Sequence, residues 1–194
     1  MSSAWAPKLP PRLPIVASKV DTQWWRAHRI HLDPLHFDTT PSYRFNAPDG
    51  AYGTCYFGCT DEAAFVETML RGEPPTRLIT MKQLQTRGMT EVRVTAELRL
   101  VPVLDHHLSG LGVTADVTSS RTYERSQAFS LAVWAHSDRP DGFQYRCRHD
   151  NSLTAVALFD RGGVGLRSVA TEPLDRDLER LLRWKSRWGF AIAP

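Results

Sequence analysis

The sequence predicts a single α+β domain in which a mainly antiparallel sheet packs against a few helices. Segments typical of strands outnumber those typical of helices, and the two kinds do not alternate regularly, which argues against a parallel sheet with crossover helices. The stretch 91–103 alternates apolar and polar residues, as a half-buried strand does. The chain of 194 residues has no internal repeat and no credible domain boundary, so one core is expected.

The composition is that of an ordinary globular protein. Hydrophobic residues make up 42% of the chain and charged residues 23%. The formal net charge is +3, and the 24 basic and 21 acidic residues are spread along the chain without a basic run. Direct nucleic-acid binding is therefore not predicted, whereas mild positive charge suits an anionic small molecule.

The cysteine count and the hydropathy pattern predict a soluble protein of the cytoplasm. Three cysteines are an odd number in a chain too large to need disulfide staples, which indicates reduced thiols. No apolar run approaches the length of a membrane span, so no membrane association is predicted. The N-terminus is rich in Pro and lacks the apolar core of a signal peptide.

The first third of the chain contains the unit around which the other elements are arranged. Residues 1–18 carry four Pro and are expected to form an N-terminal extension, and 20–31 a short helix followed by a strand. The stretches 43–46 and 51–59 are predicted strands, joined by a turn with Pro and Gly in suitable places. Thr60 then suits the N-cap of a helix that opens with two acidic residues.

The other elements follow from hydrophobic spacing and from turn residues. The segment 73–75, Glu-Pro-Pro, ends the first helix because Pro removes a hydrogen bond of a helix interior. The glycine-rich stretch 162–165 opens no helix and is therefore interpreted as a turn rather than a phosphate loop. The remaining predictions, in chain order, are a strand at 77–80, a helical turn at 81–85, a strand at 91–103, a short helix at 104–111, a polar loop at 113–120, a helix at 122–136, strands at 143–147 and 154–159 joined by a polar link at 148–151, a helix at 175–183 and a strand at 188–192.

Three polar side chains of the first unit lie where its pattern favours other residue types. Glu67 falls in the apolar stripe of the helix, one turn after Ala63. The period of two places Tyr56 on the strand face that carries small residues, which leaves room for a ligand. Arg44 stands between two aromatic residues. A cation, a phenol and a carboxylate brought together by one such unit form a candidate ligand site.

A purely structural interpretation of the same residues is equally consistent with their spacing. In that interpretation Glu67 pairs with Arg71 one helical turn on, since such pairs are common on helix surfaces. Tyr56 is then an ordinary strand aromatic. Arg44 becomes a solvated charge at a strand end.

A resemblance to a known family favours the ligand site. The run RFNAPDGAYGTCYFGCTDEAAFVET at 44–68 resembles the opening block of the RES domain, the toxin component of bacterial RES–Xre toxin–antitoxin pairs. That family has an Arg before a Pro/Gly turn, a Tyr in the following strand and a Glu on the next helix, which are Arg44, Tyr56 and Glu67 here. The resemblance implies an ADP-ribosyltransferase-like split sheet, NAD consumption, and catalytic roles for these three residues, with Arg44 and Tyr56 also binding substrate.

A second block, 141–150 followed by 155–159, also resembles this family. The family shows a Gly, a short strand with a Tyr, and a Ser two residues after that Tyr. Cys147 occupies the place of the Ser and is expected to bind substrate. Since a thiol is a weaker donor and acceptor than a hydroxyl, the alternative is a catalytically weak NAD-binding module. A nucleophilic thiol activated by the basic residues around it is a further alternative. The blocks give a RES-like core at about 40–162 and leave a helix and a strand within 163–194.

The resemblance also implies a function. The expected activity is that of a toxin that cleaves the nicotinamide–ribose bond of NAD+, with water or phosphate as the acceptor, as a glycohydrolase or phosphorylase does. Arg44 would grip the phosphate or ribose side, Tyr56 would orient the nicotinamide ribose, and Glu67 would stabilise the cationic transition state and activate the acceptor. A protein-directed mono-ADP-ribosyltransferase that uses the same cleft is the alternative from another class. The implied partner is an Xre-type helix-turn-helix antitoxin that blocks the cleft.

Two further features bear on cofactors and partners. His28, His31 and His36 lack acidic or Cys partners at helical spacing, so no metal site is predicted and NAD is expected as a substrate only. The chain has six Trp, among them the adjacent pair Trp24 and Trp25, which offers apolar area for a homodimer contact. Core packing is the alternative fate of these rings.

Overall fold

The computed structural model of the chain describes residues 5–72 and 77–194. The strands are β1 (Val16–Ser18), β2 (Gln23–Arg29), β3 (Thr54–Gly58), β4 (Leu78–Thr80), β5 (Arg87–Val94), β6 (Leu98–Val103), β7 (Gly142–Cys147), β8 (Asp150–Phe159), β9 (Leu166–Pro173) and β10 (Ala191–Ala193). The helices are α1 (Asp61–Met69), α2 (Met81–Gln85), α3 (His107–Gly110), α4 (Asp116–Ser119), α5 (Glu124–Ala135) and α6 (Leu178–Trp188).

Eight of these strands form one sheet in the order β1-β6-β7-β8-β3-β2-β5-β9. Every neighbouring pair in it is antiparallel except β6 and β7. The short strands β10 and β4 pair in parallel as a second sheet. The predicted α+β class with a mainly antiparallel sheet is therefore confirmed. No helix in the described ranges is long and apolar enough to span a bilayer.

The large sheet is split between β2 and β3. These strands share a single register pair, Trp25 with Gly58, whereas β2 follows β5 from Gln23 to Arg29. Beyond that one pair β2 and β3 part, and at the other end of β3 the Thr54 backbone is paired with Asp38 instead of with β2. Helix α1 follows directly after β3 and packs over this split, where the Thr68 hydroxyl donates a hydrogen bond to the Ala27 carbonyl at 3.2 Å. The split therefore lies directly beneath α1.

The sheet is also strongly curled. Strands β5 and β6 are five positions apart in the sheet order, about 24 Å in a flat sheet. The linker of residues 95–97 between them spans at most about 14 Å when fully extended. The sheet must therefore curl to bring the end of β5 to the start of β6. Trp24, Phe57, Val92 and Leu100 fill the inside of this curl as a separate apolar cluster.

The alternation of side chains along β3 sorts them between two cores. Cys55 and Phe57 point into the cluster inside the curl. Tyr56 points to the opposite face and packs against the larger core that the helices cover. The predicted placement of Tyr56 on a different face from these two residues is confirmed.

Two predicted elements near the candidate site are wrong. Residues 43–46 form turns rather than a strand, and the Phe45 N–H is bonded to the Tyr56 hydroxyl at 3.0 Å instead of to a neighbouring strand. The short helix expected at the start of 20–31 is absent, because Gln23–Arg29 is an inner strand between β3 and β5. Contacts with distant residues determine the conformation of both segments. The local sequence pattern does not contain those contacts.

Other differences concern strand continuity and element ends. The strand predicted at 91–103 is two strands, β5 and β6, with a bend between them. Apolar residues of both strands face the same cluster, so the alternation of apolar and polar residues gives no sign of the bend. Strand β9 was not predicted, because it is a largely exposed edge strand without an apolar face. Helix α6 starts after its cap Asp177 and runs to Trp188, beyond the predicted 175–183. Part of the N-terminal extension forms β1. The predicted helix end at 73–75 lies outside the described residues.

We expect Gly58→Ala to destabilise the protein by about 1–3 kcal/mol, the usual cost of overpacking. A Cβ at this position would lie 2.5 Å from the Thr60 carbonyl oxygen and also against the Ala64 amide, both backbone atoms of the turn into α1. The matched control is Gly110→Ala, where an added Cβ has no atom within 4 Å in the described structure. Urea unfolding measures both variants, and equal midpoints would contradict the close packing of β3 against α1.

Candidate active site

A cavity of about 450 Å³ opens at the split between β2 and β3. Its walls come from β2, β3, α1, the 43–45 loop and the end of β7. Arg44, Tyr56 and Glu67 all line it, so the structure brings together the three residues that the sequence singled out. Their roles in catalysis remain predictions. The juxtaposition depends on the turn at Gly58, which places α1 against the strand that carries Tyr56.

Glu67 is held in place by two hydrogen bonds from the β7 side of the cavity. Its Oε1 accepts from the Arg148 backbone N–H at 3.0 Å, and its Oε2 accepts from the Tyr145 hydroxyl at 3.3 Å. Burial raises the pKa of Glu67, while the Arg148 N–H and the charge of Arg44 act in the opposite direction. The guanidinium of Arg71, the surface partner that helical spacing suggested, lies over the Tyr43 ring at 5.1 Å.

Tyr56 connects the strand to the loop that carries Arg44. Its hydroxyl donates to Asn46 Oδ1 at 2.7 Å and accepts from the Phe45 N–H at 3.0 Å. Burial raises the pKa of Tyr56 well above its ordinary value, so the side chain remains a neutral phenol at physiological pH. The contacts give Tyr56 a positioning role for the loop in addition to its place in the cavity wall.

Arg44 is fixed by contacts on the far side of the same loop. Its Nη1 donates to the Ser120 carbonyl at 2.7 Å, and its guanidinium lies 5.0 Å from the centre of the Tyr123 ring. The loop itself is tied to α5, because the Ser130 hydroxyl donates to the Phe45 carbonyl at 2.7 Å. Burial lowers the pKa of Arg44, yet a guanidinium keeps its charge in proteins. The cavity therefore presents a pre-positioned cation.

The cavity wall is strongly cationic. Among the described residues, six arginines line it, against two acidic residues, Asp38 and Glu67. These arginines are Arg26, Arg29, Arg44, Arg71, Arg87 and Arg148. Burial lowers the pKa of Arg87, and the charges of Arg29 and Arg71 lower it further, which indicates mutual repulsion in one part of the wall. Such a wall favours a ligand that carries several negative charges. Sequence reasoning missed it, because the six positions are scattered from β2 to the end of β7.

Cys147 does not line the cavity with the three other candidates. Its side chain is fully buried in the core beneath the helices, with 0% exposure. Burial raises the pKa of the thiol, and the carboxylate of Glu67 raises it further, so Cys147 is not an activated nucleophile. Direct substrate binding by Cys147 finds no support in this position. What reaches the cavity from this segment is the next residue, Arg148.

The structure adds site residues that sequence reasoning did not assign. Tyr145 and Arg148 donate hydrogen bonds to the carboxylate of Glu67. The alternation along β7 could have identified Tyr145, because it places this residue on the buried face of the strand. His149 also lines the cavity, and its buried Nε2 has no hydrogen-bond partner in the described structure.

His28, one of the three histidines considered for a metal, bonds the Arg29 carbonyl and the Thr90 hydroxyl instead. The described residues hold no group of three or more potential metal ligands.

Comparisons with known proteins agree with this architecture. Among curated proteins, the Probable toxin y4kH of Sinorhizobium fredii (strain NBRC 101917 / NGR234) is 27% identical over 96 residues, which cover 50% of this chain and 75% of that protein. Among solved structures, a chain of the M. tuberculosis MbcT–MbcA toxin–antitoxin complex has a TM-score of 0.67 at 16% identity, covering 86% of this chain and 91% of that chain. At such identity the likeness concerns the fold, and it confirms the predicted fold class. The model of the family described as RES domain matches residues 23–179. Because this match spans most of the sequence, the chain belongs to the RES domain family.

Proposed function

We propose that this protein is the toxin of a toxin–antitoxin pair and that it cleaves the nicotinamide–ribose bond of NAD+. The observation that carries the proposal is that Arg44, Tyr56 and Glu67, at the positions of the family pattern, line one cavity. Membership of the RES domain family supports it, as do a curated relative named as a probable toxin and a structural neighbour from a toxin–antitoxin complex. The partner, on this proposal, is a helix-turn-helix antitoxin that covers the cavity.

The size and charge of the cavity support a dinucleotide as the substrate. A volume of about 450 Å³ lies within the range of small-molecule sites. NAD+ carries a pyrophosphate, and guanidinium groups are the donors that phosphate oxygens bind best; Arg29 and Arg87 of the described wall are among them. The cationic nicotinamide ribose then needs a negative partner, and Glu67 is one of the two acidic residues of the described wall.

The proposed chemistry follows from the positive charge that develops on the ribose as the bond to nicotinamide breaks. Cleavage of the C–N bond leaves positive charge on the ribose carbon and its ring oxygen, and nicotinamide departs as a neutral molecule. A fixed carboxylate beside the ribose stabilises that charge without reorganising, and the bonds from Arg148 and Tyr145 hold Glu67 ready for this task. Arg44 binds the phosphate or ribose side, and Tyr56 maintains the loop that presents it.

The direct test is to incubate the purified protein with NAD+, with and without phosphate, and to follow free nicotinamide. Release without any protein acceptor supports the proposal, and its dependence on phosphate separates phosphorolysis from hydrolysis. Release only after a target protein is added would indicate a mono-ADP-ribosyltransferase instead. Bound but intact NAD+ would indicate a binding module.

Glu67→Gln should lower the rate of nicotinamide release by about a hundred- to ten-thousand-fold, because the amide cannot supply the negative charge that stabilises the transition state. Glu62→Gln is the matched control, since it makes the same change on the same helix, where Glu62 pairs with Arg187 outside the cavity wall. Initial rates at saturating NAD+ measure the effect. Full activity in Glu67→Gln would remove Glu67 from the mechanism.

The same variant should be more stable than the wild type at neutral and alkaline pH. Burial raises the pKa of Glu67, so keeping it ionised in the folded protein costs free energy. That cost is absent below the unfolded-state pKa of Glu and complete above the raised folded-state pKa. Urea unfolding should therefore show a gain in stability for Glu67→Gln that grows as pH rises through this window. A wild type that is more stable at every pH would contradict the expectation.

Tyr56→Phe should destabilise the protein by about 1–3 kcal/mol, the cost of leaving buried polar groups without a partner. The change removes the hydroxyl that bonds the Phe45 N–H and Asn46 Oδ1. We also expect a higher KM for NAD+, because the loop that holds Arg44 loses this tie. Tyr123→Phe, which keeps the ring under Arg44, serves as the stability control. Unchanged stability in Tyr56→Phe would show that these two bonds contribute little.

A further inference from the structure

One of the hydrogen bonds that hold Glu67 comes from a turn of only two residues. Cys147 at the end of β7 pairs with Asp150 at the start of β8. The two residues between them, Arg148 and His149, therefore form the whole turn. The Arg148 backbone N–H donates to Glu67 Oε1 at 3.0 Å. Any movement of the β7–β8 turn thus moves a donor on which the carboxylate of Glu67 depends.

Asp150, which closes this turn, is bound by the end of helix α6. Its Oδ2 accepts hydrogen bonds from Arg187 Nη2 at 3.0 Å and from Trp188 Nε1 at 3.3 Å. Arg187 Nη2 also donates to the Ser152 hydroxyl at 3.2 Å, and Asp150 Oδ1 accepts from the Ser152 N–H at 3.0 Å. The side chain of Asp150 is only 16% exposed, so salt screens its pair with Arg187 less than it screens a surface pair. The start of β8 is therefore tied to α6.

Helix α6 also packs against α1, the helix that carries Glu67. The Phe65 ring of α1 lies 4.5 Å from the Trp184 ring and 6.4 Å from the Trp188 ring, measured between ring centres. Phe65 and Trp184 are both buried, so close packing fixes α6 relative to α1. One helix therefore contacts both elements whose relative position determines the bond between Glu67 and Arg148.

The contacts of Arg187 indicate more than general stabilisation. Its side chain is 45% exposed, and ion pairs with an exposed partner usually contribute little to the free energy of unfolding. Its Nη1 bonds Glu62 at 3.0 Å, where a Gln side chain would also offer an oxygen acceptor. Arg187 lies beyond residue 179, where the match to the RES domain model ends. The matched family pattern therefore does not account for this ion pair.

We propose, on the basis of the function proposed above, that Asp150 and Arg187 are positioning residues for the cleavage of NAD+. Through their ion pair, helix α6 fixes the β7–β8 turn so that the Arg148 N–H holds Glu67 in place beside the ribose. Neither positioning residue lines the described cavity wall, so both act through Arg148 rather than on the substrate. Precise placement matters, because a displacement of about 1 Å can lower the rate of an enzyme about a hundredfold.

The pH dependence of kcat provides a signature of this role. Burial raises the pKa of Glu67, and the Arg148 N–H acts in the opposite direction. The other groups that face this carboxylate are Arg44, Tyr145 and the charged form of His149, and each of them favours ionisation. A turn that no longer holds Arg148 in place lets the pKa of Glu67 rise further. Because Glu67 acts as a carboxylate, the acidic limb of the kcat profile should then move to higher pH.

The experiment compares wild type with Arg187→Met, Asp150→Asn and the double variant, by nicotinamide release over a range of NAD+ concentrations and pH. In each variant kcat should fall about ten- to a hundredfold while KM stays within about twofold. The acidic limb should move up by about half a pH unit, the scale of one hydrogen bond. The double variant should lose no more than the weaker single variant, because both changes break the same pair. Arg187→Lys keeps the charge and should recover most of the rate.

Arg183→Met is the matched control, because it makes the same change one helical turn earlier in α6, where Arg183 pairs with the exposed Glu179. It should keep the wild-type rate, and its urea midpoint should equal that of Arg187→Met, so that a loss of rate does not reflect unfolding. A second measurement needs no NAD+. The Arg148 amide hydrogen should exchange with solvent at least about tenfold faster in Arg187→Met than in wild type.

Several outcomes would overturn the positioning role. These are a wild-type kcat or an unmoved acidic limb in Arg187→Met, additive losses in the double variant, no recovery in Arg187→Lys, an equal loss in Arg183→Met, or unchanged exchange at Arg148. Each of them, with nicotinamide release by wild type, leaves the proposed function intact. No release by wild type would instead refute the proposed function, and the catalytic role of the ion pair with it.

Discussion

The single register pair between β2 and β3 is the constraint on which the site depends. Trp25 and Gly58 hold the two halves of the sheet together at one point, and the strands part beyond it. Where the strands part, residues of both β2 and β3 line the cavity. Gly58 meets a second requirement at the same point, because only a residue without a Cβ lets the chain turn so closely into α1. The Trp25–Gly58 pair and helix α1, which follows it, thus determine the position of Glu67.

The cavity concentrates interactions that oppose stability. A carboxylate is buried despite the cost of removing its charge from water, and in the described wall the charges of Arg29 and Arg71 act against that of Arg87. The surrounding structure offsets these costs with directed hydrogen bonds, from Arg148 and Tyr145 to Glu67 and from Tyr56 to the Arg44 loop. Such a departure from local rules is typical of functional sites, and on the proposed function a phosphate-bearing dinucleotide would bring negative charge to this wall.

The substitution of the family Ser by Cys147 has a smaller structural consequence than the sequence suggested. The thiol is packed in the core, and the contact that its segment makes with Glu67 comes from the backbone of the following residue. A backbone N–H is present whatever side chain precedes it. The replacement therefore leaves this carboxylate contact in place. The hairpin after Cys147 contributes more to the cavity than Cys147 does, through Arg148 and His149.

The sequence by itself determined the fold class, the strand–helix unit and the residues it carries. Period-two spacing sorted the β3 side chains to their faces, and the apolar stripe of α1 marked Glu67, because both signals depend only on local geometry. Only the tertiary structure decided that 43–46 is a loop, that 91–103 bends between two strands, and that six distant arginines meet. Those features depend on contacts between residues far apart in the chain, which the spacing of neighbouring residues in the sequence cannot predict. The partners of Glu67 and the unpaired nitrogen of His149 belong to the same class, since the β7–β8 hairpin, about 80 residues later in the chain, carries them.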